Sequence, residues 1–218
     1  MRMRHLLSIA AVCSVMGAVS LAQGVPEVKL PPSPTGQAAV QLGGTWDKTA
    51  DGPTYRDGKW ILVDYGRPLL RGRKEIFGSG SDYGKTVYGN ATIWRAGANN
   101  TTRLTTQAPL LIGGKTIQPG VYNVFVELKP GDWTLVLNTQ PVQEKYDPED
   151  KVRLAGAYNY NSKFDVVRAP MKVSTTIDVS IEQFTIGFIN VSDTSATLAM
   201  WWENTMAAVD LRLASGTK

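Results

Sequence analysis

The chain has 218 residues, with 23 Lys and Arg against 19 Asp and Glu, one cysteine and one histidine. This length suits one domain with a substantial core, and a formal net charge of +4 is too small for a global field that would recruit nucleic acid. A single cysteine also excludes a disulfide framework within the chain.

The first 22 residues have the pattern of a secretory signal peptide. A cationic segment, residues 1–4, precedes an apolar run over residues 6–21, and Ser20 and Ala22 are small residues at the two positions that signal peptidase reads. The apolar run is shorter than the roughly 20 residues that span a bilayer. We therefore expect export to the periplasm or medium, cleavage after Ala22, and no stable membrane insertion afterwards.

Cleavage would remove His5 and Cys13 together with Arg2 and Arg4. The remaining 196 residues would carry 21 basic and 19 acidic side chains, a net charge of +2. Such a chain has no thiol nucleophile, no Ser-His-Asp triad and no zinc site with Cys or His ligands. It also lacks the calcium-loop pattern of spaced Asp and Asn followed by Glu, so we expect neither a metal nor a cofactor.

Residues 23–43 contain four prolines and no aromatic side chain. A segment of this composition buries too little apolar surface to order itself. The sequence therefore predicts a flexible, Pro-rich tether over residues 23–43, followed by a single domain over residues 44–218.

From residue 59 onward, short runs of β-favouring residues alternate with turn sequences such as Gly113-Gly114, which suits a hairpin with positive φ. The predicted strands cover residues 59–65, 110–112, 115–117, 121–128, 133–138, 164–168, 181–190, 195–203 and 207–213. One short helix is predicted from Asp147, because Pro148 suits the first turn and Gly156 ends it. About eight to ten strands without crossover helices predict an all-β fold, an antiparallel β-sandwich or jelly-roll-like arrangement with at most one short helix.

Residues 64–103 combine five arginines with aromatic residues and glycines. The guanidinium group fits carboxylate and phosphate geometry and stacks on aromatic faces, and glycine allows a backbone to approach a ligand closely. We therefore identify a candidate ligand-binding surface formed by Arg67, Arg71, Arg73, Tyr88, Trp94, Arg95 and Asn99. The alternative is architectural, because arginines that lie over aromatic rings also fasten long loops to a sheet.

A secondary candidate site lies near the end of the chain. Alternation from Ala196 places Trp202 on the apolar face of its strand and leaves Trp201 and Glu203 on the opposite face. An exposed indole beside a carboxylate can hold a sugar ring. The alternative is that Trp201 packs beneath a loop or in a second core, since tryptophans are mostly buried.

Five sequence blocks carry a family resemblance: residues 63–78 (VDYGRPLLRGRKEIFG), 87–104 (VYGNATIWRAGANNTTRL), 113–126 (GGKTIQPGVYNVFV), 132–138 (DWTLVLN) and 196–203 (ATLAMWWE). Together they resemble a bacterial secreted family catalogued as the domain of unknown function numbered 2911. The resemblance implies an exported β-rich domain without an established activity, and it assigns no catalytic or ligand-binding residue. The segment of residues 79–86 is longer than the corresponding connection in the family, and Lys74-Glu75 adds a residue before Ile76. We therefore expect the loop geometry of this chain to differ from that of the family.

The leading functional hypothesis is an exported binding module for anionic or saccharide cell-envelope material. One alternative is a glycan hydrolase that uses two carboxylates, and the acidic residues in or beside strands are Asp64, Glu127, Asp132, Glu182 and Glu203. The other alternative is a structural or protein-interaction domain without a small ligand. Binding is favoured over catalysis because the spacing of these carboxylates selects no pair.

The signal-peptide assignment makes a direct prediction about the mature protein. We expect its N-terminus to be Gln23, because Ala22 completes the cleavage site. N-terminal sequencing or intact-mass measurement of the exported protein checks this. A mature chain that still contains His5 would contradict the prediction and restore the imidazole chemistry excluded above.

Overall fold

The computed structural model describes residues 29–49, 51–175 and 178–214, so the predicted signal peptide lies outside the described residues. The strands in chain order are β1 (Thr35–Leu42), β2 (Thr45–Thr49), β3 (Gly52–Arg56), β4 (Lys59–Gly66), β5 (Thr102–Thr106), β6 (Leu110–Ile112), β7 (Lys115–Ile117), β8 (Gly120–Glu127), β9 (Trp133–Asn138), β10 (Asp165–Ser174), β11 (Ile181–Ile189), β12 (Ser195–Glu203) and β13 (Thr205–Leu213). A four-residue helix, α1 (Lys85–Tyr88), and 3-10 turns at Gly80–Asp82 and Ser162–Phe164 interrupt them. Within the described ranges, no helix is long and apolar enough to cross a membrane.

Eleven strands form one sheet in the order β1-β4-β5-β8-β9-β10-β13-β12-β11, with β6 joined to β13 and β7 joined to β6. Every paired strand in it is antiparallel, and β2 and β3 form a separate hairpin. The prediction of an all-β antiparallel fold with at most one short helix is confirmed. The sheet is continuous and curls almost closed, in a barrel-like shape, and the described residues form more strands than the predicted eight to ten.

The gap between the two outer strands, β1 and β11, is closed by the chain that follows β4. Strand β4 pairs with β1 up to Gly66, and the next residues then pair with β11. The Leu70 N–H donates to the Glu182 carbonyl at 2.8 Å, and the Phe184 N–H donates to the Pro68 carbonyl at 2.9 Å. Backbone groups that an open sheet would leave at its edges are therefore partly paired.

The interior of the sheet is filled by strand side chains together with side chains from the connection between β4 and β5. Phe77 and Trp94 enter from this connection and meet Trp133, Phe184 and Trp202 from the strands. The contacting ring pairs have centroids between 4.7 and 6.4 Å apart, mostly edge to face. Such pairs add about 0.5–1.5 kcal/mol each beyond the burial of their area.

A second, smaller core lies on the outer face of β8 and β9. Phe125 and Val136 point outward there and pack against Ile93, Leu154 and Ala157. Since these last three belong to the segments 89–101 and 139–164, both segments are fastened to the same part of the sheet. This packing brings the two segments side by side on the molecular surface.

The predicted tether is corrected over residues 35–42, which form β1. This strand pairs with β4 along its whole length, from Thr35 opposite Gly66 to Leu42 opposite Lys59. Leu42 is fully buried, and Ala38 and Val40 pack against the main core. Low aromatic content does not prevent order here, because a neighbouring strand supplies the hydrogen bonds and small apolar side chains suffice to cover the core.

The predicted helix after Asp147 is wrong, because residues 147–156 form turns, bends and isolated bridges, and the one α-helix among the described residues lies at Lys85–Tyr88. The Asp150 carboxylate accepts hydrogen bonds from the backbone N–H groups of Val152 and Arg153, both at 2.9 Å. The Asn159 side-chain amide also donates to the Asp150 carbonyl at 2.7 Å. Such side-chain bonds occupy backbone groups that a helix would need.

We expect Trp94→Ala to destabilise the protein by about 3–5 kcal/mol, because Trp94 is only 1% exposed and its ring contacts four other aromatic rings. Thermal and urea unfolding measure this change. The matched control is Trp46→Ala on the β2–β3 hairpin, where the side chain is 65% exposed and the expected change is within about 0.5 kcal/mol. Equal losses in both variants would contradict the proposed role of the aromatic core.

Candidate functional site

A cleft of about 480 Å³ opens where the segments 95–103 and 142–158 lie side by side. Its volume is within the usual range for small-ligand sites. Two tyrosines contribute exposed rings, Tyr146 at 71% and Tyr158 at 42%. The main side chains of the cleft are Arg95, Asn99, Arg103, Gln143, Tyr146 and Tyr158.

Arg95 is held in the wall of the cleft. Its Nη1 donates to the Asn99 carbonyl at 2.8 Å, and its guanidinium carbon lies 5.5 Å from the centre of the Tyr158 ring. Gly156 has φ +65°, and a Cβ at that position would overlap the Arg95 guanidinium group. The close approach of segment 142–158 to Arg95 therefore requires glycine at this position.

Arg103 is the less constrained cation of the cleft. It lies on the outer face of β5, since its neighbours Thr102 and Leu104 are buried on the inner face. Asp64 is its partner in the register with β4. Even so, the Arg103 side chain forms no hydrogen bond or ion pair with any residue that the structure describes. Its guanidinium group is therefore available to a ligand.

Segment 142–158 is ordered by buried and half-buried polar side chains. Gln140 is buried, and its amide nitrogen donates to the carbonyls of Val152 at 2.6 Å and Asn159 at 2.8 Å. The N–H groups of Arg153 and Val152, assisted by the Arg153 guanidinium, lower the pKa of Asp150 to about 2. The Asp150 carboxylate is thus an ionised turn-forming group at neutral pH.

The other three predicted arginines do not line the cleft. Arg67 donates from Nε to the Phe184 carbonyl at 3.4 Å and from Nη2 to the Thr185 hydroxyl at 3.2 Å. Arg73 donates to the carbonyls of the two leucines before it, and its guanidinium carbon lies 5.7 Å from the Trp202 ring centre. Arg71 is exposed, and its backbone N–H donates to the Glu182 carboxylate at 2.7 Å, whereas its side chain forms no hydrogen bond with a described residue. For Arg67 and Arg73, these contacts are architectural.

Tyr88 and Trp94 also lie away from the cleft. The Tyr88 hydroxyl accepts from the Leu128 N–H at 2.7 Å, and burial raises the pKa of Tyr88. The Trp94 side chain is part of the main core, and its backbone pairs with Val126. This burial corrects the expectation that Trp94 contacts a ligand. Of the seven predicted residues, the cleft brings together Arg95 and Asn99.

The secondary candidate does not form a joint site. Trp201 is half-buried and packs over Gly187 of the neighbouring strand, at 3.3 Å from the position of a Cβ there. The Glu203 carboxylate accepts from the N–H groups of Glu75 at 2.8 Å and Ile76 at 2.9 Å. Glu203 therefore fastens the loop that carries Phe77 into the core.

A second hollow, of about 900 Å³, contains the acidic residues Glu127 and Asp165. Arg168 bridges the two carboxylates, and Asp165 also accepts from the Asn138 amide at 2.8 Å and the Tyr160 hydroxyl at 2.7 Å. Burial, together with the Asp165 charge, raises the pKa of Tyr160. Glycoside hydrolysis needs one protonated carboxyl beside one ionised carboxylate. Here both carboxylates are instead engaged by the same arginine rather than presented free to a substrate.

Four residues of the cleft were not among the candidates predicted from the sequence. Arg103 was within the predicted stretch but was not chosen, and Gln143, Tyr146 and Tyr158 flank the predicted helix, which was to run from Asp147 to Gly156. The available signal was composition, because residues 143–160 contain five tyrosine, asparagine or glutamine side chains suited to ligand contacts. That composition does not predict that the segment lies beside residues 95–103 in the folded protein.

The fold and the cleft define a class of all-β domains in which one nearly closed antiparallel sheet carries a cationic, tyrosine-lined cleft between two outer loops. The chain belongs to the family described as protein of unknown function DUF2911, whose model matches residues 41–211. No curated protein and no solved structure matches the chain. Within the described ranges, no group of His, Cys, Asp and Glu could hold a metal ion.

The lowered pKa of Asp150 predicts a pH dependence of the cleft wall. Because the pKa in the folded chain, about 2, is below the usual value of 3.8, the contribution of Asp150 to stability is complete above pH 3.8 and is lost as the pH falls through 2. Hydrogen-exchange protection of the Val152 and Arg153 amides should decrease over this interval.

At neutral pH, Asp150→Ala should remove the same protection, because it removes the acceptor of both N–H groups. The control is Asp132→Ala, whose exposed side chain forms no hydrogen bond with a described residue. Unchanged protection of the two amides in Asp150→Ala would show that the carboxylate does not order the segment.

Proposed function

We propose that this protein is a binding module that takes up anionic or saccharide cell-envelope material in the cleft between segments 95–103 and 142–158. One observation carries the proposal: the guanidinium group of Arg103, which has no partner among the described residues, lines the same cleft as the partly engaged Arg95 and two exposed tyrosine rings. The expected export of the chain would bring envelope material within its reach.

The chemistry of these groups supports the proposal. Guanidinium groups bind carboxylate and phosphate through charge-assisted hydrogen bonds, which are stronger than neutral ones. A tyrosine ring offers an apolar face to the C–H face of a sugar and a hydroxyl group to its polar edge. Glu144 also lines the cleft, so two arginines and one acid leave it with a net positive charge. The cleft therefore favours a ligand with both an anionic group and a ring.

Binding accounts for these observations better than hydrolysis. Among the described residues that line the cleft, Glu144 is the only carboxylate, whereas glycosidases use a pair. Glu127 and Asp165 do lie together in the second hollow, but each forms an ion pair with Arg168. Among the described residues, neither place therefore presents two carboxylates that are free of an ionic partner.

The test measures co-sedimentation of the purified mature protein with isolated peptidoglycan sacculi, which carry both sugar rings and carboxylates. We expect the wild-type protein to be retained and Arg103→Ala to bind about 10- to 100-fold more weakly, the usual loss for a hydrogen bond to a charged group. Tyr146→Ala should also weaken retention, because its ring is exposed and is available for stacking.

The matched control is Arg212→Ala, which removes an exposed cation from β13, outside the cleft. Its retention and melting temperature should equal those of the wild-type protein. Equal losses in Arg103→Ala and Arg212→Ala would indicate general charge attraction, and an unchanged Arg103→Ala would remove the cleft from the interaction. Either result contradicts the proposal.

A further inference from the structure

The cleft adjoins the outer face of β1, β4, β5 and β8 at Arg103. Arg103 belongs both to the cleft and to a row across these strands, in which Gln37, Asp64, Arg103 and Asn123 are register partners. Gln37 donates to Asp64 at 2.7 Å, so this acid is engaged within the row. The row therefore presents the Arg103 cation at the point where the cleft opens onto the sheet.

The next row along the same face is apolar. Ala39, Leu62, Thr105 and Val121 are register partners there, and Val121 and Ala39 are exposed. They point outward because Ile61, Val63 and Leu104 fill the inner face. A ligand that lies on this row would meet methyl groups and a threonine hydroxyl rather than charges.

An exposed indole follows at the far end of the face. Trp60 is 42% exposed and is on the same side of β4 as Leu62 and Asp64. Gln107 fixes the Trp60 backbone through two hydrogen bonds. The Trp60 N–H donates to the Gln107 side chain at 2.9 Å, and the Trp60 carbonyl accepts from the Gln107 N–H at 3.0 Å. Asp64 lies four residue steps along the strand from Trp60, a distance of about 13 Å.

We propose that the ligand is a linear glycan chain with carboxylate-bearing and neutral rings, which occupies the cleft and extends along this outer face to a second subsite at Trp60. The inference rests on the proposed function. It follows from the order of the groups along the face: a free cation beside the tyrosines, then an apolar row, then an exposed indole. A single small anion would use only the first of these, whereas a chain uses all three.

The test uses hyaluronan, in which carboxylate-bearing and neutral rings alternate, as a disaccharide and as a long oligosaccharide, with dextran as the uncharged comparison. Calorimetric titration of the mature protein should show tighter binding of the oligosaccharide than of the disaccharide, and weaker binding of dextran. Trp60→Ala should lower the affinity for the oligosaccharide about three- to tenfold, the value of one aromatic contact, and leave the disaccharide unaffected. Arg103→Ala should weaken both.

The matched control is Trp201→Ala, a half-buried tryptophan on the outer face of β12, which should leave both affinities unchanged. If Trp60→Ala binds the oligosaccharide as tightly as the wild-type protein does while Arg103→Ala binds it more weakly, the extended site is overturned. The proposed binding in the cleft would then still stand. If the protein is retained on sacculi but does not bind hyaluronan, the proposal of a linear glycan with alternating carboxylate-bearing and neutral rings is overturned, and the proposed function is not. If the protein binds neither sacculi nor hyaluronan, the proposed function is overturned as well.

Discussion

The structure depends on the insertion of Phe77 and Trp94 into the interior of the curled sheet. A sheet that closes almost completely encloses a volume that side chains must fill. Here Trp133, Phe184 and Trp202 supply part of the filling from three strands, and the connection between β4 and β5 supplies the rest. The same connection pairs with β11 before it enters the core, so the closing of the sheet and the filling of its interior belong to one segment.

The position of the cleft follows from this insertion. Trp94 is fixed in the core, and the next residue, Arg95, therefore emerges on the outside against Tyr158. The chain then crosses the end of β4 at very close range, since a Cβ on Gly97 would lie 2.6 Å from the Gly66 carbonyl oxygen. Glycines at both positions allow the crossing. The second core holds the opposite wall in place, because Leu154 and Ala157 pack on Phe125.

The cleft and the hollow around Glu127 and Asp165 differ in how their charges are used. In the larger one, Arg168 is paired with Glu127 and Asp165, and every charged group there has an ionic partner close by except Lys115. In the cleft, Arg103 has no partner among the described residues, although an acid is opposite it in the register. An unpaired cation beside exposed rings is free to bind, whereas a closed network of ion pairs mainly orders the strands that carry it.

The sequence alone determined the all-β class and most strand positions, because alternation and turn residues such as Gly113-Gly114 are local signals. It also placed Arg95 and Asn99 among the candidate residues. Only the tertiary structure decided that Trp94 fills the core, that Thr35–Leu42 is a strand, and that Tyr146 and Tyr158 line the same cleft as Arg103. These outcomes depend on contacts between segments far apart in the chain, and arginines that pack over rings have the same local sequence whether they fasten a loop or face a ligand.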